Sequence, residues 1–315
     1  MKKILLDMDT GVDDALAIAL TAAAEKAGDA QLIGITTCFG NVENTTAVRN
    51  SLSILSALGR TDVPVFPGSD RALAAKEKYI AGEECFLIHG HDGIGDAGFP
   101  LSEKVPETTD SVDFILQAAE KYGAELTLVP TGPLTNVARA IQRDKKTFEK
   151  IGRIVLMGGA LAVKGNVSPY AEANISNDPE AAKIVLESGI PMTMIGLDVT
   201  HKTRIYSEET ARWKTYGVTG TLFAEMTDYY IAFNNHEGCS LHDPLAAAEA
   251  IWPGTVGTLP FTVKVETESV ARGRTYAVSY PDEGDSDHVQ VGLTVSKTAV
   301  PLFKALLEEM LLSLG

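Results

Sequence analysis

Short continuous apolar runs alternate with stretches whose apolar residues recur at helical spacing. Ile4–Leu6, Leu32–Thr36, Val63–Phe66, Leu126–Val129, Ile154–Met157 and Met192–Ile195 read as strands. Between them, Ala15–Ala24, Thr46–Leu58, Val112–Tyr122, Leu134–Arg143 and Pro179–Ser188 read as helices. Strands that are apolar on both faces and separated by helices predict βαβ units and a mainly parallel sheet. From Ser207 to Ala247 the pattern is mostly helical. Phe261–Val265 and Val289–Val295 read as late strands, with an antiparallel arrangement open, and Pro301–Leu314 as an amphipathic closing helix. No repeat, low-complexity tract or linker interrupts the pattern, so residues 1–315 are expected to form one domain.

Composition adds limits. With 45% apolar and 22% charged residues, the 315-residue chain can bury a core without staples. A net charge of −15 makes it a poor partner for polyanions, so neither nucleic acid nor an anionic membrane is an expected ligand. Cys38, Cys85 and Cys239 are far apart, odd in number and show no CxxC spacing. A disulfide framework or zinc site is therefore not expected, and a reducing compartment fits. The first apolar run is broken by Asp7, too early for a signal peptide, and no segment is long enough to cross a bilayer. A cytoplasmic location is the expectation.

The chemistry concentrates where the first strand turns into the first helix. Asp7-Met8-Asp9-Thr10-Gly11-Val12-Asp13-Asp14 places four carboxylates within eight residues. One Asp there can cap the helix, but four repel one another unless a cation sits among them. Oxygen ligands without His or Cys indicate calcium or magnesium. An EF-hand loop fails, because Val12 and Ile18 stand where its Gly and Glu belong. A magnesium-dependent phosphatase motif, with Asp7 as nucleophile, matches only in part, since Gly11 stands where Thr or Val belongs.

Further segments sit at strand ends. Thr36-Thr37-Cys38-Phe39-Gly40-Asn41 is also common turn chemistry, and His89-Gly90-His91-Asp92-Gly93 can be a plain surface loop. Pro130-Thr131-Gly132-Pro133-Leu134 can start a helix, and Asp178-Pro179 reads as a cap followed by a first-turn proline. Met157-Gly158-Gly159 lacks the GK[ST] of a phosphate loop. Asn166, Glu172 and Asn174 follow it, two amides and a carboxylate. His242-Asp243-Pro244-Leu245-Ala246-Ala247 follows an aromatic stretch, Tyr229–His236.

In this order, the segments resemble the inosine–uridine preferring nucleoside hydrolase family, over roughly residues 3 to 250, and weakly at Ala271–Thr275. The resemblance implies an α/β fold: a Rossmann-like open, mostly parallel central sheet flanked by helices, with helical insertions near the active site. It implies hydrolysis of the N-glycosidic bond of ribonucleosides. Calcium would be held by Asp9, Asp14, the carbonyl of Thr131 and Asp243. Asp9 would act as base and His242 as acid to the departing base, with an ordinary histidine pKa near ~6.5. Asp13, Asn41, His89, Met157, Asn166, Glu172, Asn174 and His242 would face the substrate, and one or two aromatics of Tyr229–His236 would form a lid. A homodimer or homotetramer is implied. Trp213 and Trp252 lie outside the His89 loop, and Ala173 replaces an aromatic, so a broad inosine/uridine preference is expected over a purine-only one. A non-catalytic calcium-dependent riboside-binding protein is the remaining alternative.

Overall fold

The computed structural model describes residues 1–279 and 289–314. The first half alternates as expected: β1 Lys2–Met8, α1 Val12–Ala27, β2 Ala30–Thr37, α2 Asn44–Ala57 and β3 Val65–Phe66. A short α3, Glu83–His89, precedes α4 Ser111–Tyr122, β4 Leu126–Pro130, α5 Thr135–Phe148 and β5 Arg153–Met157. There follow α6 Ala173–Asn177, α7 Pro179–Leu186, β6 Met192–Ile195, α8 Leu197–Thr200 and β7 Arg204–Ile205. The chain continues through α9 Ser207–Trp213, α10 Gly217–Phe233, β8 Cys239–Ser240 and α11 His242–Ile251. It ends in β9 Val256–Val265, β10 Thr275–Ser279, β11 Val289–Val295 and α12 Ala299–Leu312.

The main sheet has the order β10-β9-β11-β6-β5-β4-β1-β2-β3. Strands β1 to β6 pair in parallel, and β11 joins β6 in parallel before β9 and β10 add antiparallel. The expected α/β architecture is thus present, with a mixed edge. Continuous burial of β1 and β4 explains their unbroken apolar runs. One face carries a core of Leu16, Leu20, Phe223, Leu245 and Phe303, and the other a core of Ile115, Val137, Ile141 and Val185.

Sequence reading missed α3, α6, α8, β7, β8 and β10. Each is short or flanked by Gly and polar residues, so its apolar period is too brief to register. The mostly helical stretch from Ser207 to Ala247 holds α9, α10 and the start of α11, interrupted by β8, where Cys239 and Ser240 pair antiparallel with Ile205 and Arg204.

Two features position the site. From β1 the chain winds outward to β2 and β3, whereas β4, β5 and β6 lie on the other side. The winding therefore reverses between β1 and β4, and in open α/β sheets a crevice opens at the carboxyl ends of such strands. Meanwhile α1 and α11, both rich in alanine, pack closely side by side. Their first turns carry Asp13 and Asp14, and Asp243, respectively. Helix N-termini favour negative charge, which offsets part of the cost of crowding these acids.

Candidate active site

A cleft of ≈ 300 Å³ lies at this crevice. Asp13, Asn41, His89, Thr131, Met157, Asn166, Glu172, Asn174, His242 and Asp243 all line it. The sequence segments that carry them, spread from the first helix to the eleventh, converge on one place. Asp9 and Asp14 are not in the lining. Both are fully buried just beneath it.

Carboxylate oxygens of Asp13, Asp14 and Asp243 lie within 4.8 Å of one another. Asp9, expected among the metal ligands, stands beside this trio, and Asp13, expected at the ribose, is inside it. Local contacts explain the placement of Asp9. The Asn41 backbone N–H donates to its Oδ2 at 2.7 Å and the Asn41 Nδ2 to its Oδ1 at 3.3 Å. Gly40 allows that approach: at φ 155° it has no side chain, and a Cβ there would meet Asp9 Oδ2 at 1.9 Å.

Asp14 accepts from the Gly11 N–H at 2.8 Å, from Thr131 Oγ1 at 2.8 Å and from Asn41 Nδ2 at 3.2 Å. Four acids share these few neutral donors. Burial, and then Asp14, pushes the Asp13 carboxyl up to about 7. Burial followed by the neighbouring aspartates also raises Asp9 and Asp243 well above the carboxylate range. Among the described residues no basic group offsets the four charges, so the cluster as built favours a cation or protons. An all-oxygen donor set suits a hard divalent ion, and the residues fit one. The Thr131 carbonyl accepts from Asn174 Nδ2 at 2.7 Å and keeps a second lone pair.

The sugar-type residues form the next wall. Glu172 caps α6, its carboxylate accepting from the N–H groups of Gly159, Asn174 and Ile175 at 2.9–3.1 Å. Asn174 Nδ2 also meets the Met157 carbonyl at 3.2 Å, and Asn166 Oδ1 accepts from the Ala173 N–H at 3.0 Å. Behind them, Thr275 exchanges hydrogen bonds with Ala160, at 3.0 and 3.1 Å, and anchors the Gly158–Ala160 turn. That is the structural use of the tail segment Ala271–Thr275.

Two of the cleft histidines, His89 and His242, are held neutral. His89 Nδ1 accepts from the Val12 N–H at 3.2 Å, which leaves the proton on Nε2. Burial lowers its pKa to about 4. His242 Nδ1 lies 2.8 Å from Thr200 Oγ1. Burial, then the neighbouring His201, His89 and Arg204, lowers its pKa to about 3. The expectation of an ordinary histidine pKa at His242 is therefore corrected: the ring offers a neutral N–H at pH 7, not an imidazolium.

Of the aromatic stretch, Tyr230, Phe233 and Asn234 reach the cleft. Tyr230 stands edge-on to His89 with ring centroids 6.5 Å apart, while the Tyr229 hydroxyl donates to the Phe86 carbonyl at 3.0 Å. His91 stacks on Phe86 outside the cleft. Trp213 is core and Trp252 bonds Asp29, so neither tryptophan flanks the site. Asp178 is a cap, as read: its Oδ1 accepts from the Ala181 N–H at 3.1 Å. Glu84, Val167, His201, Arg204 and Ser240 also line the cleft, and sequence reading missed them. Glu84, Arg204 and Ser240 sit on short elements it could not see, Val167 in the loop before α6 and His201 just past α8.

Asp7 overturns the phosphatase alternative. It is fully buried among the strands, with Oδ1 accepting from Thr36 Oγ1 at 2.6 Å and Asn136 Nδ2 at 2.8 Å. It does not line the cleft and has no access to a phosphoester. Among the described residues no helix is long and apolar enough to cross a membrane.

The comparisons with known proteins agree with this geometry. The chain is 34% identical over 311 residues to a probable uridine nucleosidase 2 of Arabidopsis thaliana, covering 95% of each. It is 36% identical over 301 residues to the pyrimidine-specific ribonucleoside hydrolase RihA of Escherichia coli O8, covering 93% of this chain and 94% of that one. The solved structure of a purine-preferring ribonucleoside hydrolase from Gardnerella vaginalis superposes with a TM-score of 0.92 at 42% identity, covering 99% of both chains. The family pattern itself matches residues 4–301, and the chain belongs to the inosine–uridine preferring nucleoside hydrolase family.

Proposed function

We propose that this chain is a calcium-dependent ribonucleoside hydrolase of broad base preference, inosine and uridine included, acting as a single catalytic domain. One observation carries the reading. Buried carboxylates with no basic partner among the described residues meet, in one cleft, the amides and the glutamate that suit a sugar. Asp14, Asp243, Asp9 and the Thr131 carbonyl would hold the ion, and the convergence of Asp13 on the same point supports a part for it there too. When bound, calcium supplies a fixed positive charge that orients water and ribose hydroxyl oxygens.

The remaining roles belong to this chain's own groups. Asp9 takes the proton of the attacking water, help worth about 10²–10⁴-fold. Asp13 accepts from a ribose hydroxyl and sets negative charge beside the sugar as it becomes cationic. Asn166, Glu172 and Asn174 hold the remaining hydroxyls, which rejects sugars that lack them. His242 and His89 assist the departing base as neutral N–H donors. The named relatives include pyrimidine-specific and purine-preferring enzymes, in keeping with a broad preference here. A homodimer or homotetramer in the cytoplasm completes the reading, supported for the compartment by three unpaired cysteines.

The test is reducing-sugar release from inosine, uridine, cytidine, adenosine and guanosine, with and without a calcium chelator. Release abolished by chelation and restored by calcium is expected. No release from any nucleoside by folded, calcium-loaded protein would remove the reading.

A further inference from the structure

Among the described residues, Arg204 is the one cleft-lining residue with a permanent positive charge. It lies on β7, whose pairing with β8 sets it opposite Ser240, and the Leu241 N–H donates to the Thr203 carbonyl at 2.9 Å. Those contacts fasten Arg204 to the segment that delivers His242, on the leaving-group side of the proposed reaction. Its guanidinium is only partly used. Nη1 donates to the Glu237 carbonyl at 2.7 Å and to Glu237 Oε2 at 3.3 Å. Nε is buried with no partner. Nε is closed off, but Nη2 makes no hydrogen bond among the described residues and is left to donate to an acceptor that enters the cleft.

We propose that Arg204 contacts the nucleobase and stabilises it as it leaves, donating to an acceptor on the base. This rests on the hydrolase reading of the cleft. The C1′–N bond breaks with its electron pair moving to the base, where ring nitrogens and carbonyl oxygens share the charge. The water oxygen joins C1′, its proton passes to Asp9, and the base is protonated from solvent. A guanidinium offers donors only, so it matches a carbonyl oxygen and cannot accept from an exocyclic amine. Inosine is accordingly preferred over adenosine, which differs from it at that group.

The experiment compares R204M and R204K with wild type on inosine, adenosine and p-nitrophenyl riboside, whose leaving group needs little help. R204M is expected to lower kcat/KM for inosine about 10²-fold, the size seen when one donor to a developing anion is removed. The p-nitrophenyl riboside should change far less, the inosine-to-adenosine ratio should fall, and R204K should be intermediate. Equal losses on inosine and p-nitrophenyl riboside, with a lowered thermal midpoint in both variants, would mark Arg204 as a structural tie to Glu237 and overturn the proposal. Unchanged inosine turnover in R204M overturns it as well. If wild type cleaves no riboside, the hydrolase reading itself fails, and this proposal with it.

Discussion

Two sets of buried carboxylates divide this molecule. Asp178 is fully buried and accepts three hydrogen bonds, from the Leu73 N–H, Thr135 Oγ1 and the Ala181 N–H, at 2.6–3.1 Å. Asp9, Asp13, Asp14 and Asp243 are equally buried but crowd one another, and share a handful of neutral donors. The first is complete within the protein, so it holds structure. The second is incomplete, which points to something bound. Burial alone does not separate a structural acid from a functional one. What separates them is whether the surrounding chain supplies the donors.

The largest test of this contrast removes a charge from the crowded set. Asp9→Ala should lower kcat by about 10²–10⁴-fold, the scale of a lost general base. In chelator, the same variant should melt no lower than wild type, because one of four repelling charges is gone. Retained turnover would withdraw the base role from Asp9. A markedly lower melting point would mean that Asp9 is held as Asp178 is.

A second test uses His89, which must stay neutral to accept from Val12. Its folded pKa is lowered to about 4, below the unfolded value. The unfolded chain therefore binds the proton first as pH falls. The stability contributed by the neutral ring is present above pH ~6.5 and is lost as pH falls from there to about 4. The loss amounts to about 3 kcal/mol at the acid end, on the difference between the two pKa values. Melting points of wild type and His89→Gln between pH 7.5 and 4.5 should converge toward acid, since Gln has no proton to take. Parallel curves would show that the ring is already solvated.

How much of this the sequence revealed follows the same division. Asp9, Asp13 and Asp14 were legible because repulsion among neighbours in sequence needs no knowledge of the fold. The parallel strands were legible because both-sided burial leaves unbroken apolar runs. Asp243 and Glu172 needed the family resemblance to be noticed, since a His-Asp before Pro can simply cap a helix and a lone Glu carries no local signal. Glu172 is in fact a cap and a cleft residue at once. Arg204 left no signal, because a two-residue strand has no period and its pairing with β8 is purely tertiary. The lowered pKa of His242 was equally invisible, as it arises from walls contributed by distant segments.

The smallest effect comes from the complete set and is the sharpest control. Asp178→Ala leaves three donors without an acceptor, two of them backbone N–H groups that cannot move away. One is the Ala181 N–H in the first turn of α7, so the variant also loses a helix cap. Buried donors left unpaired cost about 1–3 kcal/mol, and cap removal typically about 1. Because water can enter at Leu73, which is only partly buried, the total should stay near 2 kcal/mol, read by urea denaturation with an unchanged m-value. Asp178 does not line the cleft, so kcat and the calcium requirement should match wild type. Were Asp178→Ala to weaken calcium dependence instead, the complete and incomplete sets would be one coupled network, reached through Thr135 and the loop that carries Thr131.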